Sequence, residues 1–210
     1  MEGTDGSGKK VQTKLLAERF LELKKPVYTA SLPQYGKKSA GPSEEYLNGK
    51  YGDADAINPY AAAVLYASDN FDLSYEVRAA LAEGKTVIMD RYVDFNVGHQ
   101  GGKIKDEKER KKFLDWLYDL EYRILGLPKP DAVFVLAVPA AMAQQMSRLH
   151  KDIHEKNLAH LMNAEAAYRW LTKLYPDDHF LVECVDGNQL LPPSDIHEKI
   201  YSVLKEKQLV

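Results

Sequence analysis

The first run of residues able to do chemistry is Gly3-Thr4-Asp5-Gly6-Ser7-Gly8-Lys9-Lys10. Three glycines free the backbone to turn its N–H groups inward around phosphate oxygens. A helix beginning just after them would add the positive end of its dipole. Lys9 would reach the outer phosphates of a nucleoside triphosphate. The plainer alternative is a glycine-rich turn ahead of a helix. Lys10 stands where a Ser or Thr hydroxyl would touch Mg²⁺, and Thr13 is three residues too far on to take that place. Mg²⁺ keeps much of its hydration, so it can still be held through water and the triphosphate itself.

Other candidates lie further along. Asp90-Arg91-Tyr92 ends a short apolar run, and a planar guanidinium there suits a phosphate, although Asp90–Arg91 also reads as a helix-capping ion pair. Tyr66 offers an aromatic face but sits in the apolar stretch Ala61–Ala67 and reads equally as core. Asn70 follows it by one helical turn. His99-Gln100 could read the edge of a base. Arg148, Lys151, His154 and Glu155 form a polar run. His150 and His154 are four apart, a spacing that suits a metal, with His160 nearby. No acidic or cysteine ligand is arranged beside them, and the segment reads as exposed. Tyr168, on the helix that follows, can approach a nucleotide or simply pack.

These residues need elements to hold them. Apolar residues at Val11, Leu15, Leu16, Phe20 and Leu21 predict a helix over 9–23. Helices are expected over 40–48, from Asn58-Pro59 to about Glu83, and over 106–125, 139–149, 154–174 and 194–206. Strands are expected at 26–30, 86–89, 132–138 and 180–185, the third apolar throughout and so covered on both faces. Alternating strands and helices imply a parallel sheet between helical layers. With 210 residues, 45% apolar and 28% charged, the chain suits one globular domain. A net charge of −3 argues against a nucleic-acid or membrane partner. The single cysteine, Cys184, excludes an internal disulfide framework. No apolar run is long enough to span a bilayer, and the start is not a signal peptide, so the cytoplasm is the expected location.

Taken in order, several of these segments resemble the thymidylate kinase family. They are Glu2-Gly3-Thr4-Asp5-Gly6-Ser7-Gly8-Lys9, Leu32-Pro33-Gln34-Tyr35-Gly36, Asp90-Arg91-Tyr92, Gln100-Gly101 and Leu125-Gly126-Leu127-Pro128-Lys129-Pro130-Asp131. The resemblance implies an α/β fold, a parallel five-stranded-type sheet flanked by helices. This is the P-loop NTPase arrangement of nucleoside monophosphate kinases, here a single domain over 1–210 with a lid at about 147–156. It implies ATP-dependent phosphorylation of dTMP to dTDP with Mg²⁺. The alternatives are another nucleoside monophosphate or a deoxynucleoside as acceptor, or a nucleotide-binding homologue with little activity.

The resemblance also implies roles. Gly3, Asp5, Gly6, Ser7, Gly8, Lys9 and Lys10, with Arg148 and Lys151 of the lid, bind ATP. Asp5 also meets the acceptor sugar, Lys9 and Arg91 stabilise the transferring phosphoryl group, and Asp90 holds the metal through water. Tyr66 stacks on the base, with His99 and Gln100 beside it. Asn70 stands where the family has an arginine that grips the acceptor phosphate, and Lys37 or Lys38 is the candidate substitute charge. Homodimerisation is implied through a helix face. In the family an apolar strand precedes the phosphate loop. Only Met1 stands before Glu2, so that central strand is expected to be missing or truncated, with the reading frame extending upstream.

Overall fold

The computed structural model describes residues 1–53, 56–146, 154 and 157–210. Four short parallel strands form two pairs. Strand β1 (Val27–Ser31) lies beside β2 (Thr86–Asp90), with Thr29 opposite Ile88. Strand β3 (Val133–Ala137) lies beside β4 (His179–Glu183), with Val135 opposite Leu181. Every residue of β3 is buried, as its unbroken apolar sequence requires.

Met1 and Glu2 lie between the two pairs. The Met1 amino group donates to the Met89 carbonyl (2.7 Å). Arg91 N–H donates to the Met1 carbonyl (2.9 Å). On the other side Glu2 N–H donates to Phe134 (2.8 Å), and Leu136 N–H donates to Glu2 (2.9 Å). These bonds join β2 to β3 at the end where the functional loops emerge. Behind them the lane expected for a central strand is a cavity of about 330 Å³. Its walls include Ile88 of β2, Phe134 of β3, and Leu16, Phe20 and Leu204 of the flanking helices.

Helices α1 (Lys9–Glu22) and α8 (Pro193–Glu206) cover one face, burying Leu16, Phe20, Ile196 and Ile200 with Phe134 and Leu136. The long α3 (Pro59–Ala82) starts as Asn58-Pro59 predicts, with the Asn58 side chain accepting from Tyr60 N–H. It crosses α2 (Gly41–Leu47) and packs beside β2. α4 (Asp94–His99) follows β2 directly and lies against α7 (Leu158–Leu174). α5 (Glu107–Tyr118) is capped by Asp106 and runs on as a wider π turn over Asp119–Ile124. α6 (Ala140–Met146) follows β3. The expected helices and strands are present within a few residues. α4 and a small hairpin, Val185–Asp186 with Gln189–Leu190, were not foreseen. Both are too short to carry a hydrophobic period.

Candidate active site

Three chain segments meet at the open end of the sheet. The first is the glycine loop, which passes from Glu2 into α1. Gly3, Gly6 and Gly8 all have positive φ. A Cβ on Gly3 would lie 2.8 Å from the Leu136 carbonyl, so only glycine fits there. Lys9 is buried, and its Nζ donates to the Gly3 (2.9 Å) and Thr4 (2.8 Å) carbonyls, which holds the loop as an arch. Lys10 is exposed. Burial, then the nearby Arg91, brings the Lys9 ammonium down to about 8.

The second segment ends β2. Arg91 adopts φ 65, uncommon for a non-glycine residue, and its backbone N–H is tied to Met1. This turn drives its half-buried guanidinium onto the Asp5 carboxylate, where the two form an ion pair, with Asp90 3.9 Å away. Burial alone would raise the Asp5 carboxyl, but Arg91 and then Lys9 outweigh it and hold it well below the usual carboxylate range. Asp90 keeps a buried Oδ1 with no hydrogen-bond partner. The structure thus brings Asp5, Lys9, Asp90 and Arg91 into one cluster.

The third segment is α4, which with α2 and α3 forms a buried aromatic cluster. Arg91 lies over the Phe95 ring (5.6 Å). Phe95 meets Tyr66 (5.0 Å) and stacks on His99 (4.4 Å). Gln100 is fully buried. Its Oε1 accepts from the Tyr46 hydroxyl (3.5 Å), and its Nε2 has no hydrogen-bond partner among the described residues. Tyr168 closes the far wall, edge-on to His99 (6.2 Å), and donates to Glu2 (3.2 Å). Gly98 is required here, since a Cβ would fall 2.3 Å from the Tyr168 ring. Phe95 and Tyr46 were not singled out from the sequence. Phe95 had a signal in its place one turn after Asp90-Arg91; Tyr46 had none.

Three expected residues behave differently. Asn70 is buried, but its amide donates to Glu121 (2.6 Å), which the π turn carries inward. Burial pushes the Glu121 carboxyl up to about 7. Lys37, considered as a substitute cation, is paired with Glu76 (2.8 Å) at the surface. The loop before it is organised instead by Asp69, which accepts from Gln34 N–H (2.7 Å) and the Ser39 hydroxyl (2.7 Å). Arg148, Lys151, His150 and Glu155 lie outside the described residues. His154, expected on an exposed segment, is fully buried against His99 (5.0 Å) and His160 (4.4 Å).

A glycine loop under a lysine, a strand-end arginine and an aromatic cluster sit side by side. With that arrangement in view, the comparisons are decisive: the family model for thymidylate kinase matches residues 1–187. This chain belongs to the thymidylate kinase family. The chain is 34% identical over 149 residues to a thymidylate kinase of Mycobacterium tuberculosis, covering 70% of this chain and 69% of the relative. A probable thymidylate kinase of Pyrococcus horikoshii is 26% identical over 212 residues, covering 100% of this chain and 96% of the relative. The solved thymidylate kinase of Candida albicans superposes with a TM-score of 0.74 over 99% of this chain and 90% of that one, at 19% identity, and shows the shared fold. The chain is thus a nucleoside monophosphate kinase, a phosphotransferase that uses nucleotides.

Proposed function

We propose that the glycine loop holds ATP and the aromatic pocket holds dTMP, with Arg91 between them. The observation that carries this is the placement of Arg91. It is ion-paired to Asp5 in the loop and lies over Phe95 in the pocket, so one guanidinium touches both halves of the site. Phosphoryl transfer needs alignment and charge stabilisation more than covalent help, and this position supplies both. Lys9, now donating to Gly3 and Thr4, has the reach to exchange those carbonyls for phosphate oxygens. Gly3, Gly6, Ser7, Gly8 and Lys10 complete the loop, with Arg148 and Lys151 of a lid at about 147–156 closing over the phosphates of a single domain.

On the acceptor side, Tyr66 and Phe95 supply a stacking wall. The buried Gln100 amide, with an unmatched N–H, suits a carbonyl on a pyrimidine edge. Asp5 stands where an acceptor sugar hydroxyl would reach it, and His99 shapes the floor. Asn70, bonded to Glu121, contributes no charge to the acceptor phosphate.

The donor set suits Mg²⁺. Asp90 offers a hard oxygen without a hydrogen-bond partner, and no thiolate stands near. Asp90 would hold the ion through water, and Mg²⁺ so placed would neutralise phosphate charge.

The described part of α3 leaves Val64, Phe71 and Tyr75 exposed on one face, at 50%, 37% and 62%. That stripe is the surface by which two copies pair as a homodimer. Among the described residues no helix is long and apolar enough to cross a membrane. Work on nucleotides, a single buried thiol and net charge −3 support a cytoplasmic enzyme without nucleic-acid or membrane partners.

ADP release measured over a panel of monophosphates tests the assignment. dTMP is expected to be the best acceptor, and faster turnover of AMP or GMP would overturn it.

A further inference from the structure

His99, His154 and His160 converge from two distant parts of the chain, and one nitrogen from each lies within 4.8 Å of the others. All three are buried, at 0%, 0% and 1% exposure. His99 ends α4 and His160 lies in the first turn of α7. His99 Nδ1 and His160 Nε2 are 3.3 Å apart. Two imidazole nitrogens on one tetrahedral ion, each about 2.0–2.1 Å from it, stand about 3.3–3.4 Å apart.

The third histidine is held among polar neighbours. Lys103 Nζ donates to the Tyr46 hydroxyl oxygen (2.9 Å), while the hydroxyl hydrogen is directed to Gln100 (3.5 Å). His154 Nε2 lies 2.9 Å from that oxygen, and His154 Nδ1 is buried in the same cluster. An outer hydrogen bond of this kind is what orients a metal-bound imidazole.

We propose that His99, His154 and His160 form a site for a borderline transition-metal ion such as Zn²⁺, distinct from the Mg²⁺ that accompanies ATP. Three neutral nitrogens with no carboxylate among them suit Zn²⁺, Co²⁺ or Ni²⁺ and offer nothing to Mg²⁺. Binding displaces the proton now held between His99 and His160 to the outer nitrogen of the same ring, so each ligand stays a neutral imidazole. Three ligands leave a fourth position open on the ion, and around the cluster Phe95 packs on His99 and Tyr46 on His154. An ion there ties α4 to α7 and occupies space next to the base. That last consequence rests on the acceptor reading above, whereas metal binding itself does not.

Co²⁺ is the probe. Titrated into the whole chain with Mg²⁺ present in excess, it is expected to give one equivalent of a four-coordinate complex. Intense visible bands would report it, and Zn²⁺ would abolish them. His160→Phe keeps a ring in the stack without a ligand nitrogen and should weaken Co²⁺ at least 100-fold. His160→Gln, retaining polarity, should do the same, with circular dichroism confirming that both fold. Absence of four-coordinate bands, or equal Co²⁺ affinity in folded variants, would overturn the site. With binding established, dTMP should weaken Co²⁺ binding at least tenfold. If Co²⁺ binds but dTMP leaves its affinity unchanged, the acceptor placement falls and the metal site stands.

Discussion

Arg91 and Glu121 show how much single residues carry here. Arg91 holds an uncommon backbone conformation because its N–H is committed to Met1, and the reward is a guanidinium that reaches both Asp5 and Phe95. Arg91→Ala should lower kcat at least about 100-fold while the protein stays folded, since the lost charge matters most in the transition state. Steady-state kinetics beside circular dichroism checks this, and near-normal kcat would remove Arg91 from the mechanism. Glu121 tests the electrostatics instead. Its folded carboxyl titrates at about 7, against an ordinary 4.5. A raised carboxyl binds a proton more tightly in the fold, so its contribution is present below pH 4.5 and lost as pH rises through 7. Glu121→Gln lacks that loss. Its stability relative to the parent should improve by about 2–3 kcal/mol between pH 5 and pH 8, read from urea midpoints. A difference that stays flat with pH would mean that Glu121 is ionised throughout.

At the scale of elements, the lane between β2 and β3 decides stability. Met1 and Glu2 already make bonds to both neighbours in parallel register, and the 330 Å³ cavity continues in line behind them. An extended apolar segment joined ahead of Met1 would enter that lane with its direction and register set. Five β-branched residues fused there should raise Tm by at least about 5 °C, through burial of apolar side chains at about 1.5–3 kcal/mol each and pairing of two strand edges. A Gly/Ser segment of equal length should leave Tm within about 2 °C. Equal melting of the two fusions would show that the cavity does not accept a strand.

At the scale of the whole molecule, the exposed stripe of α3 bears on assembly. An apolar face repeated along one helix is self-complementary about a twofold axis. Val64→Glu with Phe71→Glu should convert a dimer to a monomer, measured by light scattering after size exclusion. A parent that is already monomeric at micromolar concentration would set the stripe aside.

Much of this was legible in the residues alone. The glycine loop, the strand-end Asp90-Arg91 and the apolar run of β3 each depend on short-range rules, namely which residues tolerate positive φ, where a strand stops and which faces are buried. The helices α1, α3, α5 and α8 were legible for the same reason. Tertiary structure alone decided the rest, because it depends on which distant groups share a dry space. Asn70 reads as a weakened phosphate clamp until Glu121, 51 residues away, is seen to take its amide. His154 reads as an exposed lid residue until His99 and His160 are found stacked against it. Spacing along the chain records local geometry, whereas burial of polar groups is set by partners that only the folded chain brings together.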